Sequence, residues 1–178
     1  RFTAYLKDKE FIFYLGIWLV CSILMIFILR ATYYDSLKQA IRYGLFQVTS
    51  ILTTTGFCTA DFEQWNSLAQ LLLFFLMFIG GCAGSTGGAI KIIRVMLLLK
   101  YSFRQLRKLL HPKAVISIRY GELGIAEEVV ANIVGFFLLY IFIFVIASCV
   151  MAFLGLDLIS AIASVAATLG NIGPGLGT

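Results

Sequence analysis

Three long stretches of the chain carry no charge. Phe11 to Leu29, Gln64 to Ile90 and Val129 to Leu156 run for 19, 27 and 28 residues without Asp, Glu, Lys or Arg. About 20 apolar residues carry a helix across the hydrocarbon core of a bilayer, so each run predicts a membrane-embedded segment. A soluble fold would have to cover such a core with amphipathic surface helices, which the pattern does not provide. Phe11 to Leu29 is long for the apolar stretch of a signal peptide, and no small-residue cleavage site follows it.

The pattern also repeats. Shifted by 117 positions, an apolar helix over 11–29 overlays one over 129–154. Each is followed by a shorter, weakly polar helical stretch, "SLKQAIRYGLFQVTSIL" and then "DLISAIASVAATL". Each of these runs into an uncharged, glycine-bearing loop, "TTTGFCT" and "GNIGPGLGT". Ser36 with Gln39 has the spacing of a capping box, and Asp157 is an N-cap for the second short helix. The first short helix is predicted to start about a turn earlier than its counterpart. Some 15 residues give ~22 Å of helix, too short to span. The chain must therefore enter the membrane and return, which is tolerated only where protein or water surrounds the non-helical backbone. The unit is helix, re-entrant short helix, loop, helix. Its expected layout is a cytoplasmic end over 1–10, a complete repeat over 11–100, a basic linker over 101–128 and an incomplete second repeat over 129–178. The second unit stops at Thr178 inside its loop and Arg1 is not a methionine, so the expectation is a fragment of a longer transporter chain.

Composition agrees and adds topology. Only 13% of residues are charged, against about 25% in ordinary soluble domains. Arg1, Lys7 and Lys9 precede the first apolar run, and eight basic residues from Lys91 to Arg119 separate the second from the third. The positive-inside bias puts both regions on the cytoplasmic side and residues 30–63 outside. The net charge of +5 thus reports membrane orientation. It does not point to nucleic acid. The four cysteines, Cys21, Cys58, Cys82 and Cys149, show no C-x-x-C spacing, so neither a disulfide framework nor a metal site is expected.

The two loops suit a dehydrated monovalent cation. Backbone carbonyls can replace its water without adding a full charge. Turning them toward an axis requires unusual dihedrals, which glycine adopts cheaply. Gly56 and Gly173 stand at that 117-residue offset. Thr54 and Thr55 would add hydroxyl oxygens beside their carbonyls. Phe57 and Pro174 follow the glycines, where a bulky ring or a locked φ would stiffen the loop. The C-terminal ends of the short helices would favour a cation at the axis. The competing reading is that both are ordinary interhelical turns.

"TSILTTTGF", "GGCAGSTGGAIKIIR" and "TLGNIGPGLG" together resemble the Trk/Ktr/HKT superfamily of cation transporters, most closely its TrkH-type potassium-uptake subunits. The resemblance implies an all-α membrane protein of potassium-channel-like helix–pore helix–filter loop–helix repeats, four around one pore. This chain would hold the third repeat and the first part of the fourth. Its filter strands would be Thr54, Thr55, Gly56 and Phe57, and Asn171, Ile172, Gly173 and Pro174, with K⁺ as the transported ion and no cofactor. The resemblance also implies a homodimer, the remaining repeats of the parent chain, and a cytoplasmic nucleotide-binding regulatory ring of the TrkA type.

"GGCAGSTGG", residues 80–88, places five glycines in nine positions. In a continuous helix they would cost about 4–5 kcal/mol relative to alanine. One reading is a broken helix near mid-membrane that plugs the pore and moves to open it. The resemblance places an intramembrane gate loop here, made of Gly80, Gly81, Gly84, Ser85, Thr86, Gly87 and Gly88. The other reading takes Gly80, Gly84 and Gly88 as a small-residue face for close helix packing. A phosphate-binding loop is excluded, because no G-x-x-x-x-G-K-[ST] pattern is present and Ala89 follows Gly88. Lys91 is a candidate for pore electrostatics, whereas Arg94 reads as a snorkelling boundary residue.

Between the second and third runs, Phe103, Leu106 and Leu110 share a helical face, with Arg104, Arg107 and Lys108 largely elsewhere. This basic amphipathic stretch suits an anionic inner leaflet or a docking partner. Pro112 should end it, His111 reads as a helix-end residue, and "AVISIRY" as a short strand. Asp61 and Glu63 either concentrate cations at the outer mouth or form a solvated turn. An embedded enzyme would need ionisable groups within the membrane, and the three apolar runs have none. A receptor or scaffold bundle would not need re-entrant loops. Inner-membrane potassium transport is the reading that uses all the features.

Overall fold

A computed structural model of the chain describes residues 8–112, 116–121 and 123–176. Helix α1, Lys9–Thr32, is capped by the Asp8 carboxylate, which accepts the Glu10 amide at 2.9 Å. Helix α2 is Leu37–Leu52, α3 is Ser67–Leu76, α4 is Ile92–Leu110, α5 is Glu127–Phe153 and α6 is Leu158–Leu169. At 1.5 Å per residue, α1 and α5 reach about 36 and 40 Å, enough to cross a bilayer. By the same rise α2 and α6 reach about 24 and 18 Å and are not. Both long helices are apolar around their whole circumference and leave large side chains such as Phe27 and Phe153 exposed, as a lipid-facing helix should.

The second uncharged run, Gln64 to Ile90, differs from the two long helices. Its helix stops at Leu76, and residues 77–91 are irregular before α4 begins. Only two of the three runs therefore form a spanning helix. Because 80–88 is not helical, Gly80, Gly84 and Gly88 form no helix-packing face. The glycine penalty in a helix decides this against the apolar periodicity.

Helix α2 packs on α1 over Gly44, where a Cβ would lie 3.2 Å from Met25 Cγ and 3.3 Å from Leu29 Cδ1. Trp18 Nε1 donates to Thr49 Oγ1 at 2.8 Å and adds a polar tie across the same seam. Met25, Leu29, Val48, Ile51 and Leu52 close a core that also takes in Leu73 and Met77 from the α3 region and Ile172 from the second loop. The two repeats thus share one core. Asp157 caps α6 by accepting the Ile159 and Ser160 amides at 3.1 and 3.2 Å. Ser36 does sit at the N-cap of α2, but its side chain makes no capping bond, so the predicted capping box does not form. The stagger of the short helices is as expected: α2 begins at Leu37, and α6 begins four positions later in the shifted frame.

On the opposite side, the amphipathic stretch is the continuous end of α4 rather than a separate helix. It ends at Leu110 with His111 as C-cap and Pro112 just beyond. Arg104, expected away from the packed surface, is buried and pairs with Glu127 at 2.8 Å. The anticipated strand is reduced to Arg119–Tyr120, paired antiparallel with Leu123–Gly124 across a turn with Gly121 at φ +64°. Residues 114 and 115 of that expectation lie outside the described residues. Leu97, Ile118 and Val130 form a small second core beneath this hairpin.

Candidate functional site

Three irregular segments meet where the short helices end: 53–57, 170–175 and the glycine-rich 77–91. The first two are copies of each other in backbone detail. Thr54 and Asn171 have φ +54° and +52°, and Gly56 and Gly173 have φ +80° and +110°. The amide of Thr54 donates to Ile51 O and that of Asn171 to Thr168 O, each at 3.0 Å. Thr55 donates to Ser50 O and Ile172 to Ala167 O, each at 2.9 Å. Every one of these pairs is related by the offset of 117 seen in the sequence. Each short helix therefore unwinds through the same turn. Asparagine tolerates this left-handed backbone, whereas a β-branched threonine is an outlier there and must be held.

The two loops face each other. A Cβ on Gly56 would run into the carbonyl oxygen of Ile172 and lie 3.2 Å from Pro174 Cδ. A Cβ on Gly173 would have Gly56 Cα at 3.9 Å as its nearest neighbour. Glycine is thus required twice over at 56, by φ and by space. Of the anticipated oxygen donors, Phe57 O accepts the Ser50 hydroxyl at 2.6 Å. The Thr55 and Thr53 hydroxyls share a bond of 2.7 Å. The Phe57 ring does not buttress the loop: it is 70% exposed, and among the described residues Ser50 provides the brace instead. Pro174 is half-buried, with its Cδ 3.2 Å from where a Cβ on Gly56 would lie.

The glycine-rich segment lies against both loops. Its ends are pinned by Gly80 N–H to Ile90 O at 2.9 Å and Ile90 N–H to Phe78 O at 3.1 Å. Between them, Gly88 N–H donates to Thr54 Oγ1 at 3.1 Å. A Cβ on Gly88 would collide with Gly170 O and lie 2.9 Å from Asn171 Cβ. A Cβ on Gly87 would sit 3.0 Å from Thr54 Oγ1, and one on Gly81 would sit 2.5 Å from Ser85 Oγ. Gly80 is closed in by Gly88 O. Only Gly84, in the exposed tip with Ser85 and Thr86, has open space. Six residues of the segment, Gly80, Gly81, Ser85, Gly87, Gly88 and Lys91, thus form one packed unit under the paired loops.

Lys91 belongs to that unit. Its Nζ donates to Gly87 O at 2.6 Å and to Ser85 O at 2.7 Å, with Ser85 Oγ at 3.3 Å. Arg94 instead lies 4.0 Å over the Phe136 ring. Sequence reasoning missed Glu10. This carboxylate is 7% exposed and accepts the Ala83 amide at 2.7 Å, tying the segment to the start of α1. Its one sequence signal is its place as the last charge before the first uncharged run. Asp61 caps a single 3₁₀ turn, Phe62–Gln64, and bonds Gln64 Nε2 at 2.9 Å, which makes this acidic pair a structured turn. Among the described residues no cluster of His, Cys, Asp and Glu is arranged to hold a metal.

Comparison with known proteins bears on the family and the fold. A family model described as cation transport protein, TrkH, matches residues 11–178. The Trk system potassium uptake protein TrkH of Salmonella typhimurium is 41% identical over 178 residues, covering 98% of this chain and 36% of that protein. The Vibrio parahaemolyticus protein of the same name is 44% identical, covering 97% and 36%. The crystal structure of the potassium transporter TrkH from Vibrio parahaemolyticus superposes with a TM-score of 0.92 at 42% identity, over 97% of this chain and 37% of that one. The chain spans about a third of the length of these relatives. These are transporters rather than enzymes, and the fold is that of an all-α membrane transporter. A match over nearly the whole chain, with the same fold, means that this chain belongs to the TrkH family of cation transport proteins.

Proposed function

We propose that this chain forms part of a potassium-uptake pore in the cytoplasmic membrane. The backbone oxygens of Thr54, Thr55, Gly56 and Phe57 and of Asn171, Ile172, Gly173 and Pro174 supply two strands of its selectivity filter. The observation that carries this is the pair of loops with matching positive φ at 54/171 and 56/173, facing each other across Gly56. Ordinary interhelical turns have no reason to share four dihedral and hydrogen-bond features and also a contact. Each loop sits at a helix C-terminus, whose partial negative charge favours a cation. The segment 80–88 is the gate, because it lies directly against Thr54, Gly170 and Asn171 and would have to move for an ion to pass.

In this reading the N-terminal end and residues 91–128 face the cytoplasm, and the filter loops open outward. The rest of the parent chain completes the fourfold pore. The protein acts as a homodimer with a nucleotide-binding regulatory subunit on its cytoplasmic face. The names of the relatives, potassium uptake proteins, support the choice of ion. The test is rubidium flux into liposomes holding the full-length protein under a potassium gradient. Gly56→Val should abolish flux or potassium preference while membrane insertion is retained, and an unchanged preference would remove the loop from the filter.

A further inference from the structure

The cytoplasmic end of α4 carries a feature that ion conduction does not use. A cavity of about 300 Å³ is lined by Lys100, Arg104, Arg107 and Arg119, with Ser117 and Phe103. Four cations line it, and among the described residues the one ion pair recorded there is Arg104–Glu127. That pairing occupies Arg104 Nη1 alone: Arg104 is 6% exposed, and its Nε has no hydrogen-bond partner. Glu127 thus fixes Arg104 in the wall, and Arg107 and Arg119 are the exposed arginines of the cavity. Beside the cavity runs a second hollow of about 420 Å³, between α1 and α4, lined by Ile12, Phe13, Met96 and Leu99. Lys100 and Phe103 border both spaces.

We infer that the two together form a site for an anionic phospholipid of the cytoplasmic leaflet, headgroup phosphate in the cationic cavity and acyl chain in the apolar hollow. The inference rests on the proposed orientation, which puts residues 91–128 at that leaflet. Arginine matches a phosphate in geometry as well as charge. The adjoining hollow separates this ligand from a free phosphate or a nucleotide, neither of which has an apolar tail to place there. Phe103, Leu106, Leu109 and Leu110, each more than half exposed on the same helix end, lie where a membrane would meet them.

The test is native mass spectrometry of the full-length protein in detergent with added dioleoyl phosphatidylglycerol or dioleoyl phosphatidylcholine. Phosphatidylglycerol should be retained in preference. Arg107→Gln and Arg119→Gln, both exposed enough to fold, should each weaken its retention roughly fivefold, as expected for one basic residue near an anionic lipid. Leu99→Gln should weaken it with the cations intact. Equal retention of the two lipids, or unchanged retention in both arginine variants, overturns the site. Full competition by inorganic phosphate would make it a free-anion pocket. Loss of regulatory-subunit binding in these variants, with lipid retention unchanged, would make it a protein-docking surface. Rubidium flux on the same preparations keeps the readings apart, since Gly56→Val should lose flux and still retain phosphatidylglycerol.

Discussion

Lys91→Met offers the sharpest test of how the glycine-rich segment is held. The ammonium bonds two carbonyls of the segment, Gly87 O at 2.6 Å and Ser85 O at 2.7 Å, with a weaker approach to Ser85 Oγ at 3.3 Å. A hydrogen bond from a charged donor contributes about 1.5–3 kcal/mol net. Two such bonds to a half-buried lysine, reduced by about half for solvent screening, leave ~2 kcal/mol holding the segment in place. Methionine keeps the length and loses the donors. The equilibrium for displacing the segment should therefore shift roughly 30-fold, at 1.4 kcal/mol per factor of ten. If the segment is the proposed gate, one open about 1% of the time would then be open about 20%. Resting rubidium flux through the full-length protein in liposomes should rise accordingly, without activating ligand and with potassium preference unchanged. Removing a positive charge near a cation path would also raise flux, so a second readout is needed. Hydrogen exchange at the Ala83, Ser85 and Gly88 amides reports opening directly, and it should accelerate by a similar factor. Ser85→Ala, which removes only the 3.3 Å contact, should change little. Flux and exchange both within twofold of wild type would refute the clamp.

The remaining predictions concern the loops and their anchors. Gly56→Ala places a Cβ against the Ile172 carbonyl, whereas Gly173→Ala meets nothing nearer than 3.9 Å. Both pay the backbone strain, but only the first must push the strands apart, so potassium flux should fall further in Gly56→Ala. The reverse order in rubidium uptake would contradict the facing geometry. Glu10→Ala leaves the Ala83 amide without its acceptor, which should loosen the segment by about 1–3 kcal/mol. Glu10→Gln, which retains an acceptor oxygen, should recover most of the protection in hydrogen exchange. The Ser160 hydroxyl beside Asp157, with the Ser160 and Ile159 amides, holds the Asp157 carboxyl below its ordinary range. The amides, at 3.2 and 3.1 Å, are the bonds with hydrogen-bond geometry. A depressed value means that the cap stabilises α6 at neutral pH, and that this contribution is lost as pH falls below about 4 and through the folded-state value. Asp157→Asn, an N-cap without a charge, should flatten that part of the acid dependence of the melting temperature, and an unchanged slope would show that the cap does not titrate with folding.

Much of this was legible in one dimension because it rests on local backbone rules. The pairs Gly56/Gly173 and Thr54/Asn171 could be aligned by offset alone, and the same local turn then produced the same dihedrals. The break at 80–88 was readable because glycine disfavours helix regardless of what lies nearby, although the irregular stretch is wider, 77–91. Partners were less legible. Glu10 meets Ala83 across 73 positions and Gly88 meets Thr54 across 34, and no periodicity connects such residues. Phe57 was expected to buttress because aromatic rings usually bury, yet Ser50, a polar residue inside a short helix, holds that turn by a hydroxyl bond. Arg104 was assigned to the solvated side of an amphipathic helix, because its carboxylate partner belongs to the next helix and could not be seen from α4 alone.

The hydrogen bonds of the glycine-rich segment bear on how the proposed pore is controlled. Irregular chain at membrane depth must satisfy its amides within the protein, and this segment does so partly within itself and partly with groups that belong elsewhere. Gly80 uses Ile90 O and Ser85 uses Cys82 O inside the segment, whereas Ala83 uses the Glu10 carboxylate at the start of α1 and Gly88 uses the Thr54 hydroxyl. Displacing the segment therefore breaks bonds to α1 and to the first loop together. Thr54 is the shared element, since on the proposed assignment its carbonyl faces the ion while its hydroxyl holds Gly88. That same bond restrains a β-branched residue in a left-handed backbone it would otherwise leave. On the same proposed assignment, releasing Gly88 removes a restraint on the Thr54 strand, and an ion that orders Thr54 strengthens the bond that holds the segment. By reciprocity the coupling runs both ways: occupancy of the filter and displacement of the segment should each alter the other's equilibrium, with Thr54 as the residue through which they do so.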